Sequence, residues 1–158
     1  MKRYYPTTSV TANRQTGSML LEALIAILIF SMGILAIVGM QAASIKQVSD
    51  AKYRSDANIL VNQLIGQMWV SDRTAATLQA NFTTGGAGYQ AWLGDADTPG
   101  TVAATLPGVD SNPPTVAVVL VPGANPPTTT SSQVTIRVFW QQPGETVPHS
   151  HIAIAQIK

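Results

Sequence analysis

From Ala23 to Met40 the chain reads ALIAILIFSMGILAIVGM, eighteen consecutive residues without a charge. A helix crosses a hydrocarbon core with about 17 to 25 predominantly apolar residues, so this run is long enough to span a bilayer. A cleavable secretory signal would have an apolar region of only about 7 to 15 residues, closed by a small-x-small site. The run exceeds that length, and its exit, Val38-Gly39-Met40-Gln41-Ala42-Ala43-Ser44, is a mediocre cleavage site. A chain of 158 residues also has too little other material to wrap a helix that is apolar all round. Composition agrees: 46% of residues are hydrophobic and 11% charged, with a mean hydropathy of +0.17, so part of the apolar content belongs in lipid.

Ahead of the run lies MKRYYPTTSVTANRQTG, which carries Lys2, Arg3 and Arg14, no acid and no periodicity. Lys46, Lys52 and Arg54 match it on the far side, so counting positive charges does not orient the span. The anomaly is Glu22, set inside Ser18-Met19-Leu20-Leu21-Glu22-Ala23-Leu24-Ile25. A carboxylate at the edge of a hydrocarbon core costs about 2 to 3 kcal/mol or more unless it is paired or neutralised. No Lys, Arg or His lies between Ser18 and Ile45, so the apolar helix holds no partner for it. The plainer alternative is a juxtamembrane acid that snorkels to the interface.

Gly17-Ser18-Met19-Leu20-Leu21-Glu22, after a short basic leader and before an apolar helix, resembles the class III signal of type IV pilins and pseudopilins. The resemblance implies that a prepilin peptidase cuts between Gly17 and Ser18 on the cytoplasmic side and that the new N-terminus at Ser18 is methylated. It implies further that Glu22, the fifth residue of the mature chain, meets the α-amine of a neighbouring subunit. Such an amine has a reference pKa of about 8 and is cationic at neutral pH, which supplies the missing partner. The first mature residue is more often Phe in this family, and here it is Ser18; Met19 stands where Thr is common. Residues 20–35 are most similar to the PilV family of type IV pilus minor pilins; the GspI-like pseudopilins of type II secretion have a similar start. No cysteine pair is present to close the C-terminal loop that many major pilins carry.

After the span, QAASIKQVSDAKYRSDAN turns polar, with opposite charges four apart at Asp50/Arg54 and Lys52/Asp56. Apolar residues return at Ala57, Leu60, Val61, Leu64, Ile65 and Met68, one face of an amphipathic helix. A helix from Ser18 to Trp69 would run for roughly 80 Å at ~1.5 Å per residue. Gly33 and Gly39 weaken it and allow it to bend, or allow a close helix approach. From Asn81 the composition shifts, with nine of the ten prolines beyond residue 98, which predicts strands and loops. Val116 to Val121, framed by Asn-Pro-Pro-Thr at Asn112 and again at Asn125, is one expected strand. Val134 to Trp140 is a second, with Val134, Ile136, Val138 and Trp140 on one face, and Ile152 to Ile157 a third.

The expected organisation is a leader at 1–17, a transmembrane and assembly helix at 18–40, an amphipathic continuation at 41–70 and a β-rich periplasmic head at 71–158. The fold class is α+β, a long N-terminal helix packed on a small antiparallel sheet. A head this small buries little core alone, so the amphipathic half of the helix must supply a wall. A catalytic domain is therefore not expected. Gly85-Gly86-Ala87-Gly88 lacks the following Lys-Ser/Thr of a phosphate loop and reads as a flexible loop. His149 and His151 have no third ligand nearby in sequence and read as surface histidines. No serine sits in a nucleophile elbow. Trp69, Trp92 and Trp140 read as anchors of the core or of an interface. From Ser18 onward six Lys+Arg face eight Asp+Glu, a net of −2, which argues against nucleic-acid binding.

The resemblance thus implies a minor pilin that assembles into the pilus initiation and tip complex and supports biogenesis, adhesion and twitching. Implied partners are the prepilin peptidase, other minor and major pilins, the inner-membrane assembly platform, and membrane lipid before assembly; no cofactor or metal is implied. The precursor would lie in the inner membrane with its head in the periplasm and then enter the pilus. Two alternatives stay open: a type II secretion pseudopilin, and a signal-anchored periplasmic domain that does not polymerise.

Overall fold

A computed structural model describes residue 1, residues 17–121 and residues 131–158. The leader residues 2–16 and the second Asn-Pro-Pro-Thr copy, at Asn125, lie outside the described residues. The chain is α+β: helix α1 at Ser18–Val70, short helices α2 at Ala75–Phe82, α3 at Ala87–Leu93 and α4 at Val102–Thr105, then strands β1 at Thr115–Val121, β2 at Ser131–Trp140 and β3 at His149–Ile157. It divides into two compact units, Met1–Lys46 and Gln47–Lys158. The expected boundary at residues 40 and 41 falls within α1, whose hydrogen bonding runs unbroken through Gly33 and Gly39.

In the first unit, every residue of α1 from Ser18 to Lys46 is exposed. An 18-residue window of α1 reaches a mean hydropathy of 2.7 with none of it buried, so no protein core accounts for its apolarity. The helix is long and apolar enough to cross a membrane. Ser31, polar within this stretch, returns its hydroxyl hydrogen to the Ile27 carbonyl, a local satisfaction that suits an apolar surrounding.

In the second unit, the amphipathic face expected from spacing is the face that packs. Ala57, Leu60, Val61, Leu64 and Met68 are buried and Ile65 partly so. They join a single core with Val116 and Val118 of β1, Val134, Ile136, Val138 and Trp140 of β2, and Ile157 of β3. The four alternating residues of β2 are each 0% exposed, as strand periodicity requires of a sheet with one covered face. The sheet has the order β1-β2-β3, antiparallel throughout. Strands β2 and β3 start three residues earlier than the apolar residues announce, at Ser131 and His149, because ladder pairing continues past the last apolar side chain. The Asp50/Arg54 pair forms at 4.0 Å, whereas Lys52 places its ammonium 5.3 Å from the Tyr53 ring centre.

The expectation of strands and loops beyond Asn81 is corrected at its beginning. The stretch before β1 folds into three short helices, of which α3 buries Tyr89 and Trp92. The indole Nε1 of Trp92 donates to the Leu60 carbonyl at 2.9 Å and the Tyr89 hydroxyl to the Pro114 carbonyl at 2.7 Å, fastening α3 to α1 and to the approach to β1. Burial raises the Tyr89 pKa above its ordinary value. These helices carry no apolar stripe long enough to register as periodic, so tertiary packing decides them. Of the three tryptophans, Trp92 and Trp140 are core anchors, whereas Trp69 is 43% exposed and lies outside the core.

Gly85 and Gly86 form a tight turn and Ala87 and Gly88 open α3, so the segment is not a flexible loop. Gly85 has φ 95°, Gly86 caps α3, and a Cβ at Gly86 would stand 2.4 Å from the Asn81 carbonyl oxygen. Only a residue without a side chain allows α2 and α3 to turn this closely. Gly86→Ala is expected to lower stability by about 1 to 3 kcal/mol, read from denaturant unfolding of the full chain in detergent. Unchanged unfolding would mean the turn relaxes without cost.

Candidate functional site

The N-terminal end of α1 gathers the residues the sequence singles out. Gly17 occupies a turn immediately before the helix, Ser18 is its first residue, and Glu22 stands one turn further along. All three are exposed, and a Cβ at Gly17 would meet nothing within 4 Å. The peptide bond between Gly17 and Ser18 therefore lies at a helix border between two exposed residues. Ser18 and Glu22 are four positions apart and share one helix face with Leu21, Ile25, Ala26 and Ile29. Glu22 is thus an acid at the edge of an apolar stripe, near the positive end of the helix dipole. Among the described residues no cation pairs with it.

Among the described residues, Glu22 is the one titratable side chain on this face. The face offers one carboxylate among apolar side chains, beside an exposed Gly17–Ser18 bond.

Two other polar places draw titratable groups together. His149 stacks on Trp140 with ring centres 5.7 Å apart. Its Nε2 lies 2.8 Å from Glu145 Oε2, and its Nδ1 lies 3.3 Å from Asp50 Oδ1 without hydrogen-bond geometry. Sequence reading missed this cluster, because Asp50 and His149 lie far apart in the chain and only the packing of α1 beside β3 joins them. Both ring nitrogens face carboxylates, and among the described residues no three His, Asp or Glu converge as metal ligands. The cluster links α1, the loop between β2 and β3, and β3 itself; His151 is half-buried and stands apart from it.

A concavity of about 340 Å³ is lined by Leu93, Asp95, Ala103, Val109, Asp110 and neighbouring residues. The Asp95 carboxylate there accepts from the Thr98 hydroxyl at 2.7 Å and the Asp97 amide at 3.1 Å, which hold its pKa below the usual carboxylate value. Asp72 is lowered likewise by the Thr74 amide and the Thr77 hydroxyl. Both carboxylates organise local turns. Compared with known proteins, the chain matches no family model, and neither the curated proteins nor the solved structures give a match.

Proposed function

We propose that the chain is a minor pilin of the PilV type, cut after Gly17 by a prepilin peptidase and assembled through its apolar helix into the initiation and tip complex of a type IV pilus. The observation that carries this reading is the order of features at the N-terminal end of α1. A glycine stands bare at the helix border, an acid sits one turn in, and a membrane-length apolar helix follows without a cation for that acid. A carboxylate so placed needs a positive partner, and cleavage creates one in the form of the Ser18 α-amine. Helices packed side by side bring the amine of one subunit to Glu22 of the next. The role is structural rather than catalytic: the head stays in the periplasm until the helix leaves the inner membrane for the filament. The partners of the reading are the peptidase, the other minor and major pilins, and the assembly platform.

Glu22→Ala separates cleavage from assembly. In a piliation assay the variant is expected to be processed normally, by mass, and to enter sheared filaments at about a tenth of the wild-type level or less, as for loss of a desolvated charge pair worth over ~1.4 kcal/mol. Wild-type incorporation would remove the pairing role from Glu22. Glu22→Gln should be equally impaired if charge, rather than shape, is what the neighbour reads.

A further inference from the structure

The two edges of the sheet are treated differently. On the outer side of β1, the Thr84 amide donates to the Val116 carbonyl at 3.1 Å, the Val116 amide donates to Thr84 Oγ1 at 2.8 Å, and Gln79 Nε2 donates to the Val118 carbonyl at 3.1 Å. That edge is closed by α2 and the residue pair after it. On the outer side of β3, no hydrogen bond reaches the backbone among the described residues; its ladder runs only to β2.

The open edge also lacks the devices that discourage strand addition. Strand β3 is nine residues long, its register with β2 is unbroken, and its sequence HSHIAIAQI holds no proline, lysine or acid. Its outward face presents Ile152 and Ile154, 46% and 64% exposed, between the polar Ser150 and Gln156.

We propose that β3 pairs antiparallel with β3 of a second copy of this chain, about a twofold axis through Ala153, joining the two sheets into one. The pattern is self-complementary in that register. All nine residues pair, Ile152 stands opposite Ile154 of the copy and Ile154 opposite its Ile152, and Ser150 and Gln156 face each other at both ends of the apolar patch. Shifting by two residues in either direction leaves fewer residues paired and sets one isoleucine against Ser150 or Gln156. Shifting by one residue turns the isoleucines toward the wrong face of the partner sheet. The strand carries no Lys, Asp or Glu, so pairing with itself meets no like-charge repulsion. One strand pair makes a small interface, and anchoring both copies in a membrane supplies the effective concentration that such an interface needs. The pairing does not rest on the pilus reading.

The chain has no native cysteine, so introduced thiols report the register directly. Full-length Ile152→Cys and Ile154→Cys chains in phosphatidylcholine vesicles are oxidised separately and mixed. The mixture is expected to give several-fold more disulfide dimer than either variant alone, because residue 152 faces residue 154 and not itself. The Ser150→Cys and Gln156→Cys pair should behave the same way. Adding Ile152→Lys and Ile154→Lys to that second pair should reduce the dimer at least about tenfold. These positions are exposed, so the fold should persist, and an unchanged circular dichroism spectrum and melting curve verify it. Absence of the dimer, equal yield from every combination, or a dimer that survives the lysines would overturn the proposal. So would cross-linking in cells to a different protein with none between copies.

Discussion

Gly17→Leu should leave the 17-residue leader attached to nearly all of the protein, with the processed fraction falling by about tenfold or more, a size typical of a side chain that a cleavage pocket excludes. The structure makes this substitution informative because the fold does not need a glycine there. Gly17 precedes α1 in an exposed turn, nothing lies within 4 Å of where a Cβ would stand, and its backbone is not in the left-handed region. The variant should therefore keep the helix content of the wild-type chain and its partition into membranes. Intact mass of the membrane-extracted protein measures the outcome. A leucine variant cut as completely as wild type would sink the peptidase reading, and a wild-type protein that retains residues 1–17 in fully piliated cells would sink it without any mutation.

The second large effect concerns the compact unit at Gln47–Lys158. Trp92→Ala should cost about 3 to 5 kcal/mol, a substantial share of the 5 to 15 kcal/mol typical of a domain. Trp92 is 2% exposed, packs at 6.1 Å from the Tyr89 ring and donates its indole N–H to the Leu60 carbonyl. Its removal opens a cavity where α3 meets α1 and breaks the bond that fastens them. Trp92→Phe keeps part of the ring volume and loses the donor, so it should fall between wild type and alanine. Ile59→Ala, on the exposed side of α1 and 62% exposed, should change stability by no more than about 0.5 kcal/mol. Chemical unfolding followed by tryptophan fluorescence distinguishes the three. Equal losses at positions 92 and 59 would contradict the placement of the core.

The contrast between these positions shows what was readable in advance. The spacing of Ala57, Leu60, Val61, Leu64 and Met68 placed the buried face of α1 residue by residue, since a 3.6-residue period leaves little choice about which side is apolar. Alternation in β2 did the same for Val134 to Trp140. Helices α2 to α4 were not legible. They run for 8, 7 and 4 residues, lengths at which intrinsic propensity is too weak to form a helix without neighbours. The turn at Gly85 and Gly86 was likewise hidden, because glycine in sequence permits many conformations and only the nearby Asn81 carbonyl selects one.

At the candidate site the division is different. Gly17, Ser18 and Glu22 are neighbours along the chain, so their common place at the border of α1, and the absence of a cation among the apolar residues, were fixed by local order alone. Sequence determined the membrane-length helix, its stranded acid and the amphipathic face that follows, because each depends on residues within a few turns of one another. Tertiary structure alone decided that His149 lies between Asp50 and Glu145, that Trp92 rather than Trp69 enters the core, and that α2 closes one sheet edge while the other receives no hydrogen bond among the described residues. Those outcomes depend on which distant segments meet, and burial on one side of a contact is set by what arrives from the other.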